Sequence, residues 1–181
     1  VDTLLQTFTD TEKTAYDVMT KTNKYLKPRL NATMFMTMVM LRFHHPTQTL
    51  SYLGAGHEHI IQYHAATGTV DAVRAGGIAL GMLPDMSKVV KEITIDFQPN
   101  DLIILYSDGF TDAKNMKGER FGLEKLVKMI ETVGNKMNTD DLFDQLAVEL
   151  TNFMENSIQE DDITLMVIKR LEKGAIQVTD A

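Results

Sequence analysis

Two acidic turns in this sequence sit where carboxylates can do chemistry. The first closes the run Leu102-Ile-Ile-Leu-Tyr-Ser-Asp-Gly-Phe-Thr-Asp112, where an apolar stretch ends abruptly in Asp108 and Gly109. The second is Glu160-Asp161-Asp162-Ile163-Thr164, where an acidic pair opens the apolar run Ile163 to Ile168. One strand would deliver a carboxylate at its end, and another would begin with carboxylates. Hard oxygen donors gathered at a sheet edge suit a divalent cation of the Mg²⁺ or Mn²⁺ type. Aspartate is disfavoured inside a strand but can face a ligand at its end. Gly109 lets the chain turn and lets a ligand approach the backbone. Adjacent Asp161 and Asp162 set like charges side by side, a cost that a cation removes. Because successive strand residues point to opposite faces, only one of that pair is expected to be a direct ligand. Each feature also has a plainer reading, an ordinary Asp-Gly turn and a solvated acidic loop. Asp112 either joins the site or caps the turn, and capping is the preferred reading.

Other chemistries find less support. The five histidines fall between His44 and His64, and His57 and His59 share the spacing of one strand face, but no third zinc ligand is evident. The sequence has no Gly-x-Ser-x-Gly elbow and no Gly-x-x-x-x-Gly-Lys phosphate loop, and Gly76, Gly77 and Gly81 do not fit a dinucleotide fingerprint. Cysteine is absent, which removes disulfides, thiolate metal sites and a cysteine nucleophile and fits a reducing, cytoplasmic setting. A formal net charge of −7 with dispersed basic residues argues against a nucleic-acid partner. No apolar run reaches the roughly 20 residues of a membrane helix, so no membrane insertion is expected of this chain.

The elements that must position these residues follow from periodicity. Thr9-Asp10-Thr11-Glu12 has the form of a capping box, and Ala15, Val18, Met19, Thr22 and Leu26 keep helical spacing until Pro28. Thr33 to Phe43 reads as a strand buried on both faces, with a short helix as the competing reading and Met34, Met36, Met38 and Met40 as core filler. A turn at His44–Thr47 leads to a return strand over Leu50–Leu53, and Ile60–Tyr63 with Val70–Val73 forms a hairpin. Glu92–Phe97 and Leu102–Tyr106 read as strands joined by a turn at Pro99-Asn100-Asp101. Helices are expected over Leu123–Ile130 and Thr139–Met154, the second with Leu142, Leu146, Leu150 and Phe153 on one stripe. Segregated strands and helices favour an α+β fold. At 181 residues and 44% hydrophobic composition, one cored domain over residues 1–170 and a tail over 171–181 are expected.

Taken in order, Met34-Phe35-Met36-Thr37, Ala55-Gly56-His57, Gly77-Ile-Ala-Leu-Gly81, Asn100 to Asp112, Arg120-Phe121-Gly122 and Asp161-Asp162-Ile-Thr164 resemble one family. It is the SpoIIE/RsbU-type branch of bacterial metal-dependent (PPM-type, protein phosphatase 2C-like) serine/threonine phosphatases. The resemblance implies an α-β-β-α sandwich of mainly antiparallel sheets flanked by helices. It implies two Mn²⁺ or Mg²⁺ ions that activate a water for direct attack on phosphoserine or phosphothreonine, with no other catalytic side chain. Such ions lie about 3.5–4 Å apart, lower the pKa of bound water and neutralise phosphoryl oxygens. Asp108 and Asp161 would be metal ligands, Asp162 a less certain one, and Gly109 would permit close approach. Gly54, Gly56 and His57, with Gly77 and Gly81, would form rim and regulatory loops. The implied substrate is a phosphorylated anti-anti-sigma-factor-like protein.

Three departures from the family pattern stand out. Glu58-His59 follows His57 where the family often has proline, and Ala79 also stands where proline is common. The family's Gly-Asp-x-x-Asp strand and Gly-His-Gly loop precede the first helix, whereas this sequence starts at Val1, just ahead of it. The expectation is therefore a fold lacking the first strands, part of the metal site, and weak or no turnover. A longer natural protein with an N-terminal sensor or receiver domain is also expected, as is an unpaired sheet edge that favours a homodimer. The alternative is a pseudo-phosphatase that binds its partner without hydrolysis, and a more distant one is a small-molecule phosphohydrolase.

Overall fold

The structure, a computed structural model, describes residues 5–8, 14–31, 33–134 and 136–172. The Thr9–Glu12 capping box and residues 173–181 of the expected tail lie outside the described residues. The chain divides into two compact units, one drawn from Val1–Glu58 and Arg74–Asp96, the other from His59–Val73 and Phe97–Ala181.

In the first unit, helix α1 spans Ala15–Leu26. Thr14 caps it, its side chain accepting from the Asp17 amide, and Ala15, Val18, Met19, Thr22 and Leu26 are buried as their spacing predicts. Strands β1 (Met38–His44) and β2 (Thr49–Ala55) pair antiparallel from Met38↔Ala55 to His44↔Thr49. Residues Glu92–Ile95 form β5, which pairs with β2 in the order β1-β2-β5. Met19, Leu26, Leu53, Leu80 and Met86 form the core. The methionine run is shorter and less buried than expected. Met34 is 53% exposed, Met36 makes only an isolated bridge to Leu80, and β1 is an edge strand whose Met38 and Met40 cover the core from one side. Met38–Arg42 are only partly buried, and Phe43 and His44 are exposed.

The glycine loops of this unit interlock backbone against backbone. A Cβ on Gly54 would sit 1.8 Å from the Ala75 carbonyl oxygen, and one on Gly77 would sit 2.0 Å from the Gly54 oxygen. Gly56 donates its N–H to the Gly76 carbonyl at 2.9 Å.

The second unit is built on the order β4-β3-β6-β7, with β3 at His59–His64, β4 at Thr69–Arg74, β6 at Leu102–Tyr106 and β7 at Leu165–Lys169. Helix α2 spans Asp108–Asp112, α3 Leu123–Val133 and α4 Thr139–Met154. Ile61, Tyr63, Leu102, Ile104 and Tyr106 of the sheet meet Leu126, Ile130, Leu142, Leu146 and Leu150 of the helices in one core.

Here the expected hairpin of Glu92–Phe97 with Leu102–Tyr106 is corrected, because β5 pairs with β2 while β6 pairs with β3 and β7. The turn between them is fastened elsewhere. The buried Asp101 carboxylate accepts from the Gln98 amide (2.9 Å) and the Ala65 amide (2.8 Å). Asn100, in the left-handed region at φ 71, donates its N–H to the Arg170 carbonyl.

Gly54→Ala is expected to cost on the order of 3 kcal/mol, because backbone rather than a flexible side chain must yield. Gly76→Ala, at φ +72 with nothing within 4 Å of its Cβ, should cost only about 1 kcal/mol of left-handed strain. Urea unfolding of both variants checks this, and equal losses would contradict the interlock.

Candidate metal centre

The site is built where β6 and β7 end together. Their ladder runs from Leu102↔Lys169 to Tyr106↔Leu165. Beyond it, Ser107 donates its amide to the Thr164 carbonyl at 3.1 Å. Its hydroxyl donates to the Asp162 carbonyl and accepts from the Thr164 amide, each at 2.9 Å. The chain then enters α2, a one-turn helix where the sequence suggested a plain turn.

Phe110 explains the helix. It is buried to 1% exposure and packs edge-to-face on Phe121 at 5.4 Å, which packs in the same manner on Phe153 of α4 at 5.3 Å. Lys125 lies over the Phe153 ring at 4.1 Å. An aromatic anchor thus fixes α2, and with it Asp108 and Gly109.

The expected ligands come together at the level of the backbone. A Cβ on Gly109 would stand 2.3 Å from the Asp162 carbonyl oxygen, so only glycine admits the acidic pair this close. Asp108, Asp161 and Asp162 are all exposed. Asp108 Oδ1 accepts from the Gly109 amide at 3.0 Å, and Asp161 Oδ1 accepts from the Asp162 amide at 2.8 Å. Gln159 holds the Asp161 carbonyl at 2.8 Å.

The surrounding charges are sorted unequally. Arg120 pairs with Asp112 at 2.8 Å and Lys114 with Glu160 at 2.6 Å. Asp108, Asp161 and Asp162 have no ion-pair partner among the described residues. Asp112 is paired with Arg120, and it lines the same cleft as Asp161. Gly109, Asp112 and Asp161 line a cleft of about 260 Å³ together with Lys114, Gln159 and Glu160, and neither Asp108 nor Asp162 is part of that lining.

Among the described residues no three His, Asp or Glu side chains are grouped to hold an ion. The donor set nevertheless fits a hard divalent cation. Mg²⁺ is ordinarily held by one or two carboxylates, with waters and substrate phosphates completing its shell.

Gly54, Gly56, His57, Gly77 and Gly81 lie in the first unit. The structure gives the glycines a packing reason: Gly56 (φ +67) meets the Ala79 amide, and Gly81 (φ +87) meets Leu30. Sequence reasoning passed over Ser107, whose only signal is a hydroxyl between an apolar strand and Asp-Gly. It also passed over the Lys114–Glu160 pair, whose partners are far apart in sequence.

The family model for Stage II sporulation protein E matches residues 1–171. The chain belongs to the SpoIIE family. Phosphoserine phosphatase RsbU of Bacillus subtilis is 28% identical over 155 residues, covering 84% of this chain and 44% of its own length. The chain spans less than half the length of the two curated relatives it matches.

Solved structures share the fold of this SpoIIE-family chain. The SiaA-PP2C domain of Pseudomonas aeruginosa superposes with a TM-score of 0.72 at 17% identity, covering 86% of this chain and 59% of that one. The manganese-presoaked phosphatase domain of SpoIIE from Bacillus subtilis gives 0.62 at 15% identity, covering 97% and 76%. The expected α+β architecture of antiparallel sheets flanked by helices is the PP2C-like fold of these neighbours.

Gly109→Ala is expected to cost roughly 1–3 kcal/mol and to displace Asp161-Asp162 from α2. Urea unfolding with amide chemical shifts of Asp162 and Thr164 tests it. A neutral variant with unmoved amides would contradict the close approach.

Proposed function

We propose that this SpoIIE-family chain is the catalytic part of a metal-dependent serine/threonine phosphoprotein phosphatase. Its substrate would be a phosphorylated anti-anti-sigma-factor-like protein in a partner-switching system. One observation carries the reading: Ser107 and Gly109 fasten Asp108 against Asp161-Asp162 at the shared end of two strands, and no basic side chain among the described residues neutralises these three carboxylates. Family membership and the likeness to RsbU support phosphoserine chemistry.

Asp108 and Asp161 would hold Mn²⁺ or Mg²⁺, two ions in the complete site, with Asp162 as a further candidate. Such ions supply an activated water and neutralise the phosphoryl oxygens. The chain's own contribution is placement. Phe110 anchors the helix that presents Asp108, Gly109 admits the acidic segment, and Lys114 and Arg120 occupy Glu160 and Asp112, so those two carboxylates are already satisfied. Preset ligands lose less freedom on binding a cation.

A second reading, a partner-binding module without turnover, is favoured by the absence of three grouped ligating side chains among the described residues. Capture of the phosphoprotein without phosphate release would mark it.

In the complete protein, Asp108→Asn is expected to abolish Mn²⁺-dependent phosphate release from a phosphoserine protein at limiting Mn²⁺, because it removes a ligand charge that the cation needs. Because Asp108 is exposed, the unfolding midpoint should stay unchanged. Parent-like release by this variant would show that Asp108 is no ligand.

A further inference from the structure

Ser107 occupies the N-cap position of α2, yet its side chain makes no capping bond to that helix. Serine at such a position ordinarily offers its oxygen to the helix amides. Here the hydroxyl turns to the neighbouring strand, donating to the Asp162 carbonyl and accepting from the Thr164 amide. A hydroxyl can do both at once, which no apolar side chain of its size can. Both bonds end on the segment that carries Asp161 and Asp162, and Ser107 itself precedes Asp108 in the chain.

The other ties on that segment are of a different kind. Lys114 reaches Glu160 through two long side chains, and Gln159 bonds two residues along its own loop, to the Asp161 carbonyl. Such a pair of long side chains fixes geometry weakly. Ser107 is short, and its hydroxyl bonds directly to backbone.

We propose that the Ser107 hydroxyl is the positioning group of the carboxylate site, setting Asp108 against Asp161-Asp162 and thereby the chain's affinity for a divalent cation. This rests on the metal-site reading above. Removing the hydroxyl leaves the Asp162 carbonyl and the Thr164 amide without this partner, so the acidic segment can drift from α2 while both strands keep their cores. Groups that orient metal ligands typically change metal affinity by about 10–100-fold when lost.

The test is Mn²⁺ binding to the 181-residue chain, followed by calorimetry or water-proton relaxation, for the parent, Ser107→Ala and Ser107→Thr. The alanine variant should bind about ten-fold more weakly. Threonine keeps the hydroxyl, and the extended backbone at φ −87, ψ 159 accepts a β-branched side chain, so it should restore most of the affinity. A purely structural role would lower the unfolding midpoint and leave Mn²⁺ affinity below it unchanged. Parent-like affinity of the alanine variant, or a threonine variant as weak as alanine, overturns the proposal. A parent chain that binds no Mn²⁺ overturns the metal reading itself, a result distinct from failure of the Ser107 assignment. Should the alanine variant fail to fold, Ser107→Cys, with only a weak donor, takes its place, and parent-like affinity again overturns the proposal.

Discussion

Everything at the candidate centre depends on how β6 is fastened to β7 past the end of their ladder. Regular pairing stops at Tyr106↔Leu165, and Ser107 continues it by side chain and backbone together. Without that continuation, the repulsion among Asp108, Asp161 and Asp162 would favour separating the two acidic turns. The fold supplies the opposing force through hydrogen bonds to backbone and through a buried aromatic chain, Phe110–Phe121–Phe153. In the proposed function, a divalent cation would offset these held like charges.

The same economy runs through the first unit, where backbone meets backbone. Gly54 and Gly77 pack carbonyl against Cα, a contact that no side chain could share. These glycines were read from sequence as rim loops with a regulatory part. The structure gives them a packing reason that stands whether or not they also regulate.

Much of this was legible because the signals are local. The α1 and α4 stripes, the β1–β2 turn and the β3–β4 hairpin follow from periodicity and turn residues, and Leu142, Leu146 and Leu150 are buried as their spacing demands. The two acidic turns were visible because aspartate at a strand end is a conspicuous choice. Non-local pairing was not visible. Residues 92–97 and 102–106 look like hairpin partners by pattern alone, whereas Glu92–Ile95 pairs with β2 and Leu102–Tyr106 with β3 and β7. An Asp-Gly dipeptide reads as a turn until Phe110 finds its aromatic partners and winds it into α2. The methionine run reads as a buried strand because composition does not say which face of a strand is covered.

The proposed function requires the two acidic turns to bind a divalent cation as one unit. Adding substoichiometric Mn²⁺ to the isotope-labelled chain, and following paramagnetic broadening of its amide signals, tests this most directly. The amides of Asp108, Gly109, Asp161 and Asp162 should broaden first and together. Broadening that begins at the histidines between His44 and His64, or at only one of the two acidic turns, would contradict it.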